Sequence, residues 1–182
     1  MKLGVHDLML RENGKSNEEF FEDTKKIVLI LDEMGYDRYW FAEHHNYENL
    51  LAVAPEIISS YFLPITKNIH IGAGGCMIMH YSPLKVAELF KTMAELAPGR
   101  VDLGIGRAPG CGVSETRALN NKFDEKTPEL YDEIETILDY LQDKKPKDPI
   151  YRFVKAVPTN NESLVNPWML GSTGKSAPKA AE

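Results

Sequence analysis

The twelve residues from Gly99 to Gly110, GRVDLGIGRAPG, combine a predicted strand with groups that bind ligands. A helix is expected to end at Pro98-Gly99, and the apolar run Val101–Ile105 predicts a short buried strand. This strand leads directly into a glycine-rich turn that carries one arginine, Arg107. Ligands of α/β proteins bind at the carboxyl ends of parallel strands. An arginine and open backbone amides at that place predict a site for an anionic or polar ligand.

A second candidate site is the segment Trp40–Asn46, WFAEHHN, which closes another predicted strand. A histidine at the carboxyl end of a strand can serve as a general acid or base. Because side chains alternate between the faces of a strand, His44 and His45 should point to opposite sides, with Glu43 on the side of His45. The spacing fits neither a metal triad nor an HExxH helix. A histidine merely hydrogen-bonded at the rim of the sheet explains this segment alone equally well.

Two glycine-rich segments are candidates for holding a cofactor. Gly72–Cys76, GAGGC, lacks bulk, which marks a bulge or a surface for a flat molecule, although close packing is the favoured explanation of such a segment alone. Gly171–Ser176, GSTGKS, offers hydroxyls and bare amides before a predicted helix. That arrangement is an anion site by geometry, or simply a helix cap. Its spacing does not fit a phosphate-binding P-loop.

Strand and helix signals alternate along the chain and must position these groups. The predicted strands are Leu3–Asp7, Arg38–Ala42, a strand from Ile69 into the glycines, Val101–Ile105 and Asn166–Leu170, with Tyr151–Val157 as an extra strand or hairpin arm. The predicted helix starts are Ser16 with a capping box to Glu19, about Pro55 with an apolar face at Ile57, Ile58, Tyr61 and Phe62, Ser82-Pro83, and Thr127-Pro128.

Repeated βα units predict an α/β fold with parallel strands and helices outside. A (β/α) barrel and an open doubly wound sheet both fit, and the lack of a GxGxxG turn after the first strand counts against the second. The connection Ala108–Lys126 is long for a βα loop, which is typical of functional loops.

The composition is that of an ordinary soluble globular protein. The chain has 182 residues, a hydrophobic fraction of 43%, a charged fraction of 26% and a net charge of -6. No basic run predicts nucleic-acid binding, and no apolar run approaches membrane-spanning length. The two cysteines, Cys76 and Cys111, form no metal-binding or disulfide pattern, so we expect a reduced, cytoplasmic protein without a metal.

Taken together, four segments resemble the bacterial luciferase-like flavin monooxygenases, most closely their alkanal-monooxygenase-like branch. The segments are YDRYWFAEHHN (36–46), IHIGAGG (69–75), SPLKVAELFKTMAELAPGRVDLGIGRAPG (82–110) and NPWMLGSTGKSA (166–177). The resemblance implies a (β/α)₈ TIM barrel that binds FMN at the carboxyl ends of its strands. Reduced FMN from a separate flavin reductase would then use O₂ to oxygenate a small organic substrate such as an aldehyde.

The resemblance also implies roles for individual residues. His44 would be the catalytic histidine beside the flavin, and Gly74–Gly75 would form a non-proline cis peptide that supports the isoalloxazine ring. Gly106 would lie against the reactive edge of that ring. The implied phosphate contacts are Arg107, Ser172, Thr173 and Ser176. A guanidinium suits bidentate binding of a phosphate.

The length of the chain limits this interpretation. A (β/α)₈ barrel typically takes about 250 residues, so residues 1–182 predict an incomplete TIM barrel of about five βα units, the N-terminal part of one domain. Such a sheet needs another chain, a rearrangement or a C-terminal half to cover its edges. Three functions stay open: a flavin monooxygenase, a flavin-binding module without turnover, and a self-associating scaffold. The family commonly dimerises through the helices after the second and third strands, so we expect a homodimer.

Overall fold

One sheet of five parallel strands organises the chain. The computed structural model describes residues 1–121, 130–159, 164–171 and 176–181. The strands are β1 (Gly4–Asp7), β2 (Arg38–Phe41), β3 (His70–Met77), β4 (Val101–Gly106) and β5 (Val165–Met169). They lie side by side in sequence order, and every neighbouring pair is parallel. A doubly wound sheet would reverse its strand order, so this sheet is that of a partial (β/α) barrel.

Helices connect the strands, and the first three begin where the sequence predicts. They are α1 (Asn17–Glu33), α2 (Pro55–Phe62), α3 (Pro83–Leu96), α4 (Val113–Leu119), α5 (Leu130–Leu141) and α6 (Ser176–Ala181). The capping box before α1 is confirmed, because the Ser16 hydroxyl accepts from the amide of Glu19 and the Glu19 carboxylate accepts from the amide of Ser16. Ser82 caps α3 in the predicted way, since its hydroxyl accepts from the amide of Lys85.

The helices cover one face of the sheet and form the hydrophobic core there. Phe41, Ile71 and Leu103 are fully buried on this face. α3 contributes Phe90 to the same core, and α5 contributes Ile137. Burial of these apolar side chains is the main stabilising contribution to the fold.

The opposite face of the sheet is polar and aromatic. The fully buried carboxylate of Asp102 accepts hydrogen bonds from Arg38 Nη1 and Trp40 Nε1, both at 2.8 Å. The guanidinium of Arg38 also stacks 4.3 Å from the ring centroid of Trp168, which is 42% exposed. In a (β/α) barrel this face of the sheet is the interior, so these residues link β2, β4 and β5 on the interior side.

Three expectations about local structure need correction. Tyr151–Val157 is not an extra strand or hairpin arm; a 3₁₀ turn at Pro149–Tyr151 precedes irregular chain there. The long connection after β4 contains α4 rather than only loop. On α2, Ile57 and Tyr61 are 67% and 50% exposed, so they do not face the core as predicted. The predicted helix start at Thr127-Pro128 lies outside the described residues, which resume at Leu130.

A buried carboxylate joins the end of α1 to the chain that enters β3. Asp32 accepts hydrogen bonds from the backbone amides of Lys67, Asn68 and Ile69 at 2.7, 2.9 and 2.9 Å. Burial by itself would raise the pKa of Asp32, but these three donors outweigh it and lower that pKa below the ordinary 3.8. Asp32 is therefore charged in the folded protein and stabilises it.

We predict that Asp32→Asn lowers the free energy of unfolding by about 2 kcal/mol at pH 7, because an amide has one acceptor oxygen for three donors. Chemical denaturation measures the loss. Since the folded pKa is lowered, the stabilisation is present above pH 3.8 and is lost as the pH falls through the folded pKa. The difference between the two proteins should therefore shrink in acid. The exposed neighbour Glu33→Gln is the control, and an equal loss in that variant would contradict the role of Asp32.

Candidate active site

The carboxyl ends of the strands bring several predicted site residues to one edge of the sheet. Met77 lies in register with Gly106, and Ile105 lies in register with Met169. The amide of Leu170 donates to the carbonyl of Ile105 at 3.0 Å. The glycine segment of β3, the turn at Gly106-Arg107 and the start of the GSTGKS segment are therefore neighbours. Ser172 and Thr173 lie outside the described residues, and Ser176 begins α6.

One ring nitrogen of His44 forms a hydrogen bond with the backbone. β2 ends at Phe41, so the alternation expected for the following residues does not apply to them. The Nδ1 of His44 donates to the carbonyl of Gly110 at 3.3 Å, and its backbone amide donates to Ala52 at 2.9 Å. A carbonyl only accepts, so Nδ1 carries the proton and Nε2 of the neutral ring is unprotonated. This half-buried imidazole has the form that a general base needs.

Glu43 is the most buried charged group at this edge. Its side chain is 0% exposed and accepts from His45 Nε2 at 2.9 Å, Tyr81 hydroxyl at 2.7 Å and the amide of Met77 at 2.8 Å. Burial and the adjacent Glu43 raise the pKa of Tyr81, so its hydroxyl remains a donor. The carboxylate thus joins the end of β2 to the end of β3.

The glycine segment of β3 serves close packing between strands. A Cβ on Gly72 would stand 1.8 Å from the carbonyl oxygen of Asp102 in β4, so a side chain there would separate the strands. The Gly74–Gly75 peptide bond is cis, as the resemblance implied, and His6 Nε2 donates to the Gly74 carbonyl. A Cβ on Gly106 would stand 2.8 Å from the sulfur of Met77. Contact of these glycines with a flavin stays a prediction.

Arg107 packs against an aromatic ring at the same edge. Its Nη1 donates to the hydroxyl of Tyr131 at 2.6 Å, and its guanidinium carbon lies 4.8 Å from the centroid of that ring. Tyr131 belongs to α5, so this contact orients the guanidinium from outside the sheet. The phosphate contact expected of Arg107 stays a prediction.

Sequence reasoning did not assign three residues that the structure places here: Glu43, His80 and Tyr131. His80 Nε2 donates to the carbonyl of Pro109 at 2.8 Å, and its ring lies 5.7 Å from that of His45. An acidic residue within the otherwise apolar run WFAE is a sequence signal for Glu43. Cys76 is buried, as expected of a small core residue, and burial raises the pKa of its thiol. Within the described residues, no group of three or more His, Cys, Asp or Glu has a metal-binding arrangement.

Comparison with known proteins identifies the family. The luciferase-like monooxygenase profile matches residues 1–182. The chain belongs to the luciferase-like monooxygenase family. It is 32% identical to N-acetyl-S-alkylcysteine monooxygenase of Bacillus subtilis (strain 168) over 182 residues, which are 100% of this chain and 54% of that protein. The structure of apo-MsnO8 matches with a TM-score of 0.86 and 32% identity over 99% of this chain and 52% of that one. The chain thus spans about half the length of these luciferase-like relatives.

A more distant structure of the family fold carries a flavin. It is the oxygenating constituent of 3,6-diketocamphane monooxygenase from Pseudomonas putida in complex with FMN, with a TM-score of 0.69 and 17% identity over 92% of this chain and 51% of that one. Together with the profile, these structural relatives place the parallel sheet in a luciferase-like TIM barrel. No helix in the described part of the chain is long and apolar enough to cross a membrane.

We predict that Gly110→Ala lowers the free energy of unfolding by more than the cost of placing an alanine at a positive φ. Gly110 has φ +64, which costs an L residue about 1–2 kcal/mol, and a Cβ there would also stand 2.7 Å from the carbonyl of Glu43. The matched control is Gly99→Ala, where φ is +74 and nothing lies within 4 Å of the added carbon. Denaturation of both variants measures the difference. Equal losses would show that the contact with Glu43 contributes nothing.

Proposed function

We propose that this chain forms the flavin-binding part of a cytoplasmic monooxygenase that uses reduced FMN and O₂ to oxygenate a small, aldehyde-like organic substrate. The convergence of His44, Gly74–Gly75, Gly106 and Arg107 at one strand edge, in a chain of this family, carries the proposal. A flavin-type cofactor agrees with the FMN complex of the 3,6-diketocamphane enzyme. A separate reductase would supply the reduced cofactor.

The residues of this chain would bind the cofactor and move a proton, and the cofactor would supply the electrons. When bound, reduced FMN would supply the two electrons needed for one oxygen atom of O₂ to enter the substrate while the other leaves as water. Arg107 would bind the phosphate, with Ser172, Thr173 and Ser176 as further contacts. The cis peptide at Gly74–Gly75 would support the ring, and Gly106 would lie at its reactive edge. His44 Nε2 would accept a proton.

The polar face of the sheet supports the proposal that residues 1–182 are the N-terminal part of one barrel domain. Asp102 Oδ1 is buried on this face and has no hydrogen-bond partner among the described residues, although His70 Nδ1 lies 3.5 Å away, and Trp168 is 42% exposed. Parallel sheets are normally covered on both faces. We propose that further βα units enclose this face and complete the wall of the flavin pocket.

A self-associating role for the chain is supported by an apolar cleft between α2 and α3. The cleft holds about 470 Å³, and Ile57 and Leu96 on its walls are 67% and 70% exposed. Exposed apolar patches of this kind mark interaction surfaces. We propose that a second copy covers these two helices, which gives a homodimer. This arrangement is compatible with both an active enzyme and a non-catalytic scaffold.

We predict that the 182-residue chain binds FMN but turns over poorly by itself, because its pocket lacks the wall that barrel closure would add. Oxygen consumption and aldehyde oxidation are measured with FMN, NADH and a flavin reductase, with the reductase alone as control. Tight binding with weak but reductase-dependent oxygen consumption is the expected result; tight binding with no turnover at all would favour the non-catalytic module, and a stable dimer in sedimentation without flavin binding would favour the scaffold. Robust turnover by the pure chain would contradict the prediction.

We predict that Arg107→Ala weakens FMN binding about ten- to one-hundred-fold, because a charge-assisted contact contributes about 1.5–3 kcal/mol. Tyr131→Phe should have a smaller effect, since it removes only the hydroxyl that receives Arg107 Nη1. Fluorescence titration with FMN, and with a deazaflavin in parallel, measures affinity and distinguishes the cofactors. The exposed Arg152→Ala is the control for loss of positive charge. An unchanged dissociation constant for Arg107→Ala would reject the phosphate role.

A further inference from the structure

The side chain of Glu43 accepts hydrogen bonds from three donors that lie in separate parts of the site. Its Oε1 accepts from His45 Nε2 at 2.9 Å and from the Tyr81 hydroxyl at 2.7 Å, while Oε2 accepts from the amide of Met77 at 2.8 Å. The side chain is completely buried. A buried carboxylate is costly unless such donors surround it. The position of the side chain therefore depends on these contacts.

The three donors differ in whether they could accept a hydrogen bond instead of donating one if Glu43 were absent. The amide of Met77 is a fixed donor, whereas a hydroxyl can also accept and a neutral imidazole can exchange its protonated nitrogen. The carboxylate therefore decides that His45 carries its proton on Nε2. It also fixes the end of β3 two residues beyond the Gly74–Gly75 bond.

The same segment holds His44 through a shared acceptor. The carbonyl of Gly110 accepts from His44 Nδ1 at 3.3 Å and from the backbone amide of His45 at 3.2 Å. The carbonyl of Glu43 packs directly against Gly110, so an added Cβ there would meet it at 2.7 Å. Residues 43–45 are thus held between β3, through the Glu43 side chain, and the loop after β4, through Gly110. Movement of Glu43 would move the ring of His44.

We propose that Glu43 is the positioning residue of this site. It fixes the Nε2–H tautomer of His45 and holds the 43–45 segment so that His44 presents an unprotonated Nε2. The importance of that nitrogen to a reaction rests on the proposed function, but the positioning itself is a property of the flavin-free chain.

The decisive variant is Glu43→Gln, examined by long-range ¹H–¹⁵N correlation spectra of protein labelled with ¹⁵N-histidine. The fixed Met77 amide requires the glutamine oxygen at the place of Oε2, so the NH₂ group takes the place of Oε1 and donates to His45. We expect His45 to switch from the Nε2–H to the Nδ1–H tautomer, seen as an exchange of its protonated and unprotonated nitrogen signals. An unchanged His45 tautomer would overturn the proposal.

A second variant tests whether Glu43 positions the ring of His44. Glu43→Ala removes all three acceptor contacts, and we expect the single Nδ1–H tautomer of His44 in the parent protein to become a mixture. A folded Glu43→Ala protein whose His44 keeps one tautomer would overturn the proposal; if this variant does not fold, the glutamine variant decides. Tyr81→Phe and the exposed Glu48→Gln should leave the His45 tautomer unchanged, and a switch in either would also overturn it. FMN titration of the parent protein is separate, so a failure to bind flavin would refute only the proposed function.

Discussion

The close approach of β3 to β4 is the constraint on which the candidate site depends. Gly72 lets the β4 backbone pass where any side chain would overlap the carbonyl of Asp102. Because the two strands stay in contact, the turn at Gly106-Arg107 emerges directly beside the cis bond at Gly74–Gly75. On the other side of β3, the amide of Met77 donates to the Glu43 carboxylate after the end of β2. A wider spacing between β3 and β4 would separate the turn at Gly106-Arg107 from the Gly74–Gly75 bond.

Buried carboxylates connect the parts of the chain that the apolar core alone does not orient. Asp32 joins α1 to the entry of β3, Glu43 joins the ends of β2 and β3, and Asp102 joins β2 to β4. Asp32 and Glu43 each accept three hydrogen bonds, and Asp102 accepts two. Hydrogen bonds have fixed directions, whereas apolar burial does not. These groups therefore specify orientation at particular strand ends, and the core supplies most of the stability.

The two faces of the sheet differ in ways that would affect flavin binding and turnover separately in this luciferase-like chain. One face is packed against the helices and forms the hydrophobic core. The other face carries the Asp102–Arg38–Trp40 network and an exposed Trp168. The proposed flavin contacts lie at the carboxyl ends of β2, β3 and β4 and in the turns that follow them. The proposed pocket wall would depend on what covers the second face.

The sequence by itself determined the alternation of strands and helices and the caps at Ser16 and Ser82, because these depend on residues close together in the chain. The resemblance to the family added the cis bond at Gly74–Gly75. Only the tertiary structure decided that Glu43 meets Met77 and Tyr81, and that Ile57 of α2 faces outward. The contacts of Glu43 join residues that are 34 and 38 positions apart in the sequence. Local periodicity carries no information about partners at that distance, since the register between strands sets them.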